Sequence, residues 1–445
     1  MPNSTPNING HYSRTPRRLR IVICGAGLGG LGAAIALKRK GHEVVVLEAA
    51  SKLSEIGAGI QIPPNSTRIL EAYGLGDKLK EQVAWPRNIA LRRYANDQQL
   101  GLTLLHPYLS NVYGYPYWLI HRADYQRILF DAAAALGAEV ILDARIATVD
   151  QEKPSVTTTE GKEFVADVVV GADGIRSKVR ECIFPELSIK PTSTANCAFR
   201  ATVPVEEMMT DPQTAELMTD VNAIAWMGPG RHVMAYPLRK GAMYNLVMCH
   251  PGQAKPGEWN VPGDVEQMKA MYADFGALIR KVITKVTSCL RWTLADLPPL
   301  PTWLSKSGKS VLIGDAAHAM VPFLAQGASM SIEDGACLAE CLDRVETPGE
   351  VPRYLRVFEK IRKPRTERIQ LASRKNGDMW HVKDGPEQEL RDRPLGRDDF
   401  NEDARSNVGS DSGNPNPWSN KDFQPWLFGH DVFKEAREAL DRMND

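Results

Sequence analysis

The chain has 445 residues, a formal net charge of zero and a hydrophobic fraction of 43%. This length is enough for about two to three domains of core-forming size, and the composition is ordinary for a globular protein. Because basic and acidic residues balance, nothing in the charge indicates nucleic acid or an anionic membrane as a partner. No apolar run approaches the roughly 18–20 residues of a membrane span, so we expect a cytoplasmic protein.

The seven cysteines are scattered, and no two of them have C-x-x-C spacing. Several lie in apolar runs, where a reduced core cysteine is the ordinary case, and we expect no metal site. Residues 1–20 carry four arginines and no acidic residue, as a transit peptide does. However, Pro2, Pro6 and Pro16 disfavour an amphipathic helix, so we predict a disordered tail over residues 1–19.

Residues 20–50 carry the strongest local pattern: a β-branched strand, a glycine-rich turn, a small-residue helix and a second strand. In the turn, Gly25 permits the tight bend, Gly27 lets the backbone approach a pyrophosphate, and Gly30 lets the helix pack on the strand. The helix N-terminus attracts phosphate through its unpaired N–H groups. Glu48 ends the second strand, where an acid accepts hydrogen bonds from an unphosphorylated ribose. This unit therefore predicts binding of FAD or NAD.

The remaining elements follow from apolar periodicity and from turn residues. We predict helices over residues 66–73, 125–136, 264–285, 329–342, about 352–374 and about 431–443. Asn65 and Asp124 are expected to cap the first two of these helices. Alternating apolar and polar residues at 196–203, 222–226, 232–238 and 244–249 predict an antiparallel sheet.

Two more glycine turns each join a buried strand to a helix. Asp173 and Gly174 follow a valine-rich strand, and Ser177 is placed to open the next helix. Gly314 and Asp315 follow a second apolar strand. Both turns carry an acid where a strand meets a helix, so a second phosphate-facing turn is physically reasonable.

The three turns occur in the order GAGLGG at 25–30, DG at 173–174 and GDAAH…P…QG at 314–327. This series resembles the class A FAD-dependent aromatic monooxygenases of the p-hydroxybenzoate hydroxylase fold, over nearly the whole chain. Three further pieces resemble the fungal salicylate-hydroxylase-like branch: IGAGIQIPPN at 56–65, HRADY at 121–125, and NPW…WLFGHD within 415–431.

The resemblance implies an α/β fold class, α+β overall, with a Rossmann-like FAD-binding domain, an inserted antiparallel substrate sheet and a C-terminal arm. The implied FAD-binding domain is discontinuous and comprises residues 20–185 and 286–375, with 85–120 joining the substrate sheet. The substrate domain then covers residues 186–285, and the C-terminal arm covers 376–445.

The resemblance also implies cofactor contacts. Glu48 would bind the adenosine ribose, Gly57 and Gly59 would lie along the flavin, and Arg122 would contact the cofactor. From the residues alone, Gly57 and Gly59 are equally explained by a flexible loop, and Arg122 by an ordinary surface arginine. Asp173 would touch the FAD and the nicotinamide donor.

Further contacts are implied by the third turn. Asp315 would bind the ribityl chain or the pyrophosphate, and Pro322 would sit above the flavin ring. The helix that begins near Gly327 and Ala328 would direct its positive end at the isoalloxazine. Ala325 and Ala328–Ser329 replace residues that are often glycine and asparagine in the GQGANQ version of this motif, a departure that concerns loop shape and flavin mobility.

The implied reaction uses NADH or NADPH as a transient electron donor and O2 as co-substrate. A flavin C4a-hydroperoxide would transfer oxygen to an electron-rich arene such as salicylate or a related phenol. Only the 25–30 turn repeats G-x-G-x-x-G, which fits a donor that binds briefly and leaves without a domain of its own.

Candidate substrate residues lie on the predicted sheet. His232, Met234 and Tyr236 share one face of a strand, which places His232 and Tyr236 ~13 Å apart, at either side of a small ring. Related hydroxylases use a histidine and a tyrosine at this spacing, and Arg200 is the matching arginine for a carboxylate or phenolate. The simpler interpretations are a core tyrosine, a solvated strand end at His232 and an edge-strand charge at Arg200.

Two other functions compete with aromatic hydroxylation. One is a related flavoprotein monooxygenase or epoxidase acting on an indole, polyketide or terpenoid intermediate of secondary metabolism. The other is a non-catalytic dinucleotide-binding or redox-sensing protein, in which the DG and GD turns would have no purpose. For the aromatic hydroxylase we expect a small aromatic substrate, and a monomer or homodimer.

Overall fold

The computed structural model describes residues 17–53, 59–187, 189–253, 260–396 and 413–443. Most of the predicted N-terminal tail (residues 1–16) and Gly57 lie outside these residues. Within them, no helix combines the length and the apolar character needed to cross a bilayer.

The strands follow the chain in the order β1 Arg20–Cys24, β2 Glu43–Leu47, β3 Gly59–Ile62, β4 Asn88–Arg93, β5 Gln99–Leu104, β6 Trp118–His121, β7 Glu139–Ile141, β8 Ile146–Asp150, β9 Ser155–Thr158, β10 Glu163–Val165, β11 Val168–Gly171, β12 Thr192–Pro204, β13 Ala223–Gly228, β14 Arg231–Leu238, β15 Met243–Pro251, β16 Asn260–Pro262, β17 Leu290–Asp296 and β18 Ser310–Leu312.

The α-helices are α1 Leu28–Arg39, α2 Pro64–Ala72, α3 Gly76–Lys80, α4 Tyr108–Tyr113, α5 Arg122–Ala135, α6 Lys178–Ile183, α7 Val205–Met208, α8 Pro212–Thr219, α9 Val265–Met271, α10 Ala277–Thr284, α11 Asp315–His318, α12 Gly327–Leu342, α13 Val351–Trp380, α14 Pro386–Leu395, α15 Phe423–Phe428 and α16 Val432–Asp441.

A parallel sheet in the order β18-β11-β1-β2-β7 brings the three glycine turns together. Its strands are rich in valine and isoleucine because helices cover both faces. Cys24 pairs with Leu47 and with Gly171, and Gly171 pairs with Leu312. The carboxyl ends of these strands therefore lie at one edge, where open α/β sheets bind their ligands.

A second sheet has the order β16-β17-β12-β15-β14-β13-β4-β5. It is antiparallel as predicted except at one pair, since β13 runs parallel to β4 with Ala223 opposite Ile89. This pairing joins strands of residues 88–104 to strands that come more than a hundred residues later. A short-range alternation pattern identifies a strand but not the direction of its partner.

The two faces of this sheet belong to two hydrophobic cores. Met234 and Tyr236 of β14 face one core, while Val233 and Ala235 face the other. The first core also contains buried side chains from the end of α13 and from residues 413–443. Because alternate side chains point to opposite faces, a single strand both anchors the sheet and lines the space in front of it.

Two predicted helix caps are wrong. Helix α2 begins at Pro64 with Pro63 as its N-cap, and Asn65 lies buried inside the helix, where its Nδ2 donates to Glu333 at 2.7 Å. Helix α5 begins at Arg122, and Asp124 in its first turn accepts from Arg239 at 2.8 Å. In both cases the polar side chain meets a distant partner that local sequence does not reveal.

Two helix boundaries also differ from the prediction. The single helix expected over residues 264–285 is two helices, α9 and α10. Gly276, which precedes α10, has a non-helical backbone conformation. The helix expected over about 352–374 continues to Trp380 and contains Pro364. Its continuation matters because Trp380 lies in the wall of the cavity described below.

Candidate active site

A cavity of about 290 Å³ lies between the turns of the parallel sheet and the second sheet. Ten predicted site residues line it: Gly27, Gly59, Arg122, Arg200, His232, Tyr236, Asp315, Pro322, Gly327 and Ala328. The four others, Gly25, Gly30, Glu48 and Asp173, lie behind this lining. Folding thus brings together residues that are far apart in the chain. Gly27 and Ala328, for example, are 301 positions apart.

The glycines of the first turn have two different physical roles. Gly25 has φ +108°, and a Cβ there would collide with the carbonyl oxygen of Ala172. A Cβ at Gly30 would collide with the carbonyl oxygen of Gly25. A Cβ at Gly27 would meet no atom within 4 Å, and Gly27 lines the cavity. The turn therefore exposes backbone that a pyrophosphate group fits, at the N-terminus of α1.

Glu48 holds the first turn in place. Its carboxylate accepts from the backbone N–H of Ala26 at 2.7 Å and from that of Ala50 at 2.9 Å. A carboxylate has about four lone-pair sites, so two backbone bonds leave acceptor capacity for a ribose hydroxyl.

Asp173 caps helix α6. Its carboxylate accepts from the Ser177 hydroxyl and from the N–H groups of Lys178 (2.7 Å) and Val179 (3.0 Å). Burial raises the pKa of Asp173 above its usual value, against the opposing effect of these hydrogen bonds. Ser177 is itself the N-cap and accepts from the N–H of Arg180, which confirms that it opens the helix.

Asp315 begins helix α11 directly after Gly314, which has φ +58°. The Asp315 side chain is exposed and lines the cavity, as a group that contacts a ligand must. Behind it, the N–H of Gly314 donates to Asp334 at 2.9 Å, and Asp334 lies 2.6 Å from His318 Nε2.

Asp334 was not identified from the sequence, because it lies within an alanine-rich helix and has no motif of its own. It is fully buried and accepts from Arg362 at 2.9 Å. Although burial opposes ionisation, His318 and Arg362 hold the pKa of Asp334 below its usual value. An ionised Asp334 keeps the Gly314 turn in position through two hydrogen bonds.

The floor of the cavity is formed by side chains of β14 (His232, Met234, Tyr236), β15 (Val247) and β12 (Arg200), and these three strands pair in three rows. In register, these rows are His232-Cys249-Ala198, Met234-Val247-Arg200 and Tyr236-Asn245-Thr202. Arg200 is therefore level with Met234, two residues along the strand from both His232 and Tyr236. Since neighbouring strands are about 4.8 Å apart, its guanidinium is near enough to act on groups bound over the floor.

Tyr236 is buried and packed against the strand that carries Gly59. A Cβ at position 59 would collide with the Tyr236 ring, and the N–H of Gly59 donates to Asn245 at 2.8 Å. Burial raises the pKa of Tyr236, while Arg200 and a hydrogen bond with Gln61 act in the opposite direction. Tyr236 thus combines core packing with a phenol that lines the cavity.

Arg200 is not an edge-strand charge. Its strand pairs with β15 on one side and β17 on the other, and its guanidinium carbon lies 4.3 Å from the centre of the Trp292 ring. Such stacking fixes the orientation of the planar guanidinium.

His232 is not a solvated strand end. It is buried, and its Nδ1 lies 2.7 Å from Nε2 of His381. Burial lowers the pKa of His232 well below its usual value, and His381 adds to the effect. His381 immediately follows helix α13, 149 positions away, which is why sequence reasoning missed it.

Among the described residues, His232, His381 and Cys249 form a group whose possible metal ligand atoms lie within 4.8 Å of one another. Two imidazole nitrogens bound to one tetrahedral zinc would be about 3.3 Å apart, given Zn–N distances near 2.0–2.1 Å. The 2.7 Å separation is that of a hydrogen bond. The geometry is therefore that of a neutral histidine pair, and the absence of a metal site stays a prediction.

The fold and the cavity define a class: flavin-dependent monooxygenases with the p-hydroxybenzoate hydroxylase fold. The chain belongs to the family whose model is described as "FAD binding domain", which matches residues 18–373. It is an FAD-dependent monooxygenase, and the predicted α/β fold class, family resemblance and FAD requirement are confirmed.

Two relatives and one solved structure illustrate the similarity. FAD-dependent monooxygenase OpS4 of Beauveria bassiana is 33% identical over 424 residues, which cover 95% of this chain and 97% of the relative. 3-Hydroxybenzoate 6-hydroxylase 1 of Aquipseudomonas alcaligenes is 34% identical, with 82% and 90% covered. A salicylate hydroxylase substrate complex superimposes with a TM-score of 0.75 at 23% identity, covering 95% of this chain and 98% of that one.

Proposed function

We propose that this protein hydroxylates an electron-rich aromatic ring, salicylate or a related phenolic compound, with NADH or NADPH as electron donor and O2 as co-substrate. The observation that carries the proposal is the cavity floor, where a buried tyrosine and a stacked arginine face the glycine turns. FAD, when bound, supplies the activated oxygen.

The protein's own groups would act on cofactor position and on the substrate proton. Gly27 would admit the pyrophosphate to the N-terminus of α1, and Asp315 would accept hydrogen bonds from the ribityl chain or neighbouring groups. Helix α12 begins at Gly327 on the cavity wall, so its positive end would stabilise negative charge on the reduced flavin.

On the substrate side, Arg200 would stabilise a phenolate or carboxylate, and Tyr236 would hold the phenolic oxygen by a hydrogen bond. A phenolate makes the ring a better nucleophile, so these two residues favour transfer of an electrophilic oxygen. His232, Met234 and Tyr236 of the floor are buried, so they would exclude water from that side of the reacting centre.

The names of relatives support an aromatic substrate. One is a 3-hydroxybenzoate 6-hydroxylase at 34% identity, and another, from Streptomyces platensis, is a 3-amino-4-hydroxybenzoate 2-monooxygenase at the same identity. Both are hydroxybenzoate enzymes, and Arg200 gives this cavity a group suited to a benzoate carboxylate.

The second candidate is a monooxygenase or epoxidase acting on a larger indole, polyketide or terpenoid intermediate. One observation favours it: the aromatic wall continues beyond His232 to Trp380 and Trp418. A single small ring over Tyr236 would leave that end of the wall uncontacted. The domain division, the transient binding of the donor and the monomeric or dimeric state stay predictions.

The test is NAD(P)H oxidation by the purified, FAD-loaded protein with and without salicylate, with products identified by mass. We expect stimulation and a hydroxylated product. Stimulation without a product would assign salicylate the role of an effector and favour the larger substrates. If neither salicylate nor any larger phenol or indole stimulates oxidation by the yellow protein, aromatic hydroxylation is overturned.

A further inference from the structure

Gln61 of β3 lines the cavity, and its side-chain amide contacts two buried tyrosines. The hydroxyl of Tyr117, the residue before β6, donates to Oε1 of Gln61. Gln61 also makes a side-chain hydrogen bond with Tyr236. The amide of Gln61 therefore joins a phenol of the hydrophobic core to the phenol of the cavity floor.

The geometry of β3 places Gln61 beside the hydroxyl of Tyr236. A Cβ at Gly59 would lie 2.8 Å from this hydroxyl oxygen, so this face of β3 meets the phenol. Side chains two residues apart on a strand point to the same face, so Gln61 extends from the face that meets Tyr236. All three residues line the cavity, which places the contact at the surface that a ligand would meet.

The Tyr117 hydroxyl determines which way the Gln61 amide points. Tyr117 is 1% exposed, and burial raises its pKa well above the usual value, so the hydroxyl keeps its proton. A buried O–H group requires an acceptor, whereas a reversed amide would place a second donor against it. The carbonyl oxygen of Gln61 is therefore held toward Tyr117, and its Nε2–H group is available to Tyr236.

The hydrogen bond from Gln61 is made to the oxygen of Tyr236. An N–H donor stabilises a phenolate, and the effect of Gln61 on the pKa of Tyr236 is accordingly downward, although burial raises this pKa overall. Arg200 and Tyr117 are the titratable side chains that act on Tyr236, and only Arg200 is charged. A phenol has one proton, and when its oxygen accepts from Gln61 that proton is left for an acceptor in the cavity.

We propose that Gln61, held by Tyr117, is a positioning residue that directs the hydroxyl proton of Tyr236 toward the substrate. Tyr236 then donates to the phenolic oxygen of the substrate, and the cavity binds this substrate as a phenolate. A Tyr236 hydroxyl that donated to Gln61 would offer the substrate only a lone pair, which holds a neutral phenol. This inference rests on the proposed aromatic hydroxylation and specifies the ionisation state of its substrate.

The test measures the pKa of 4-nitrophenol bound to the FAD-loaded protein. The phenolate of this probe absorbs at a longer wavelength than the phenol, so the absorbance difference between complex and free holoprotein, followed across pH, reports its ionisation. In the wild type we expect a pKa below that of the free probe, because Tyr236 donates to the phenolate and Arg200 pairs with it.

Gln61→Met removes both hydrogen bonds at similar side-chain volume, and we expect the pKa of the bound probe to rise by about one pH unit. Tyr117→Phe should raise this pKa in the same direction, because the amide is no longer held. Since Tyr117 acts through Gln61, the double variant should show no larger rise than Gln61→Met alone. A merely structural role would lower stability or FAD affinity without changing the pKa of the probe.

The matched control is Tyr113→Phe. Tyr113 donates to Oε1 of Gln424 at 3.0 Å, which is the same pair of groups, but both residues lie outside the cavity lining. This variant should retain the wild-type pKa of the bound probe.

The inference is overturned if 4-nitrophenol does not bind the wild type, if the wild type does not lower its pKa, or if neither Gln61→Met nor Tyr117→Phe raises it. Additive rises in the double variant would also contradict it, because Tyr117 would then act independently of Gln61. Failure of the proposed function is distinct, since no phenol would then stimulate NAD(P)H oxidation, whatever the pKa of the bound probe.

Discussion

The acidic residues of the three turns differ in what their carboxylates contact. Glu48 accepts from the N–H of Ala26 in the glycine turn, and Asp173 accepts from the first turn of α6. Asp315 instead has an exposed side chain in the cavity lining. Of the three acids, Asp315 is therefore the one whose removal should affect the cofactor most and the fold least.

We expect Asp315→Ala to weaken FAD binding at least about tenfold, because a hydrogen bond that involves a charged group contributes roughly 1.5–3 kcal/mol. The free energy of unfolding of the apoprotein should change by less than about 0.5 kcal/mol. Fluorescence titration of apoprotein with FAD measures the first quantity. Asp131→Ala, on the exposed side of α5, is the control, and normal FAD affinity in Asp315→Ala would remove this residue from the site.

We expect the variants Arg200→Ala and Tyr236→Phe to retain FAD, because both residues lie on the floor of the cavity, where the substrate is proposed to bind. We expect slower hydroxylation or more NAD(P)H oxidised per product, because the phenolate form of the substrate loses its stabilising partners. Product yield per NAD(P)H consumed is the measurement. Unchanged coupling and rate in both variants would show that the floor holds the substrate by other groups.

The histidine pair predicts a pH dependence of stability. Burial lowers the pKa of His381 from its ordinary 6.5 to about 4. Between these values the unfolded chain binds more protons than the folded protein, so stability falls as pH decreases from 6.5 to 4. Each such group contributes at most about 1.4 kcal/mol per pH unit.

His381→Gln should reduce this slope, measured by urea unfolding at several pH values. Burial likewise lowers the pKa of His430 to about 4, so His430→Gln provides a second, independent reduction. Parallel stability curves for the wild type and His381→Gln would contradict the assignment.

At the level of the elements, two glycines at the junction of β1 and α1 have different roles. Gly30 allows the helix to pack, and Gly27 allows a ligand to approach the backbone. Gly30→Ala would place a methyl group against the carbonyl of Gly25, and we expect the apoprotein to lose more than roughly 2 kcal/mol of stability. The Cβ added by Gly27→Ala would meet no atom within 4 Å. We therefore expect this variant to keep the stability of the apoprotein and to weaken FAD binding.

Chemical denaturation and FAD titration of both variants make this comparison. The reverse pattern, a destabilised Gly27→Ala with a stable Gly30→Ala, would show that the roles assigned to these glycines are wrong.

At the scale of the whole molecule, a buried charge cluster ties distant parts of the chain together. Arg362 donates to Glu333 at 2.5 Å and to Asp334 at 2.9 Å, and all three side chains are fully buried. Arg365 donates to Glu333 at 2.8 Å and also to the backbone carbonyl of Leu427. The cluster therefore connects α12, α13, the Gly314 turn and the C-terminal segment.

Arg362→Met would leave two carboxylates buried without their central cation, and we expect a loss of about 3–5 kcal/mol in the free energy of unfolding. Lys363→Met is the neighbouring control, since the Lys363–Glu367 pair is partly exposed and should contribute less than about 1 kcal/mol. Equal stabilities for the two variants, measured by urea unfolding, would mean that the cluster is not a structural centre.

The sequence by itself determined the elements that depend on neighbouring residues. The strand, turn and helix of residues 20–50, the cap at Ser177 and the three ordered glycine turns are local patterns, and each occurs as predicted. The order of those turns carried the resemblance that indicated the family and the cofactor. The parallel sheet then brings the turns together, because its strand ends converge at one edge.

Only the tertiary structure decided which distant side chains meet. Asn65 was expected as a cap but contacts Glu333, and His232 pairs with His381. Trp380 and Trp418 line one cavity although they come from separate parts of the chain. Sequence periodicity reports which face of an element is buried, whereas the partner on that face depends on how the sheets and the long helix pack.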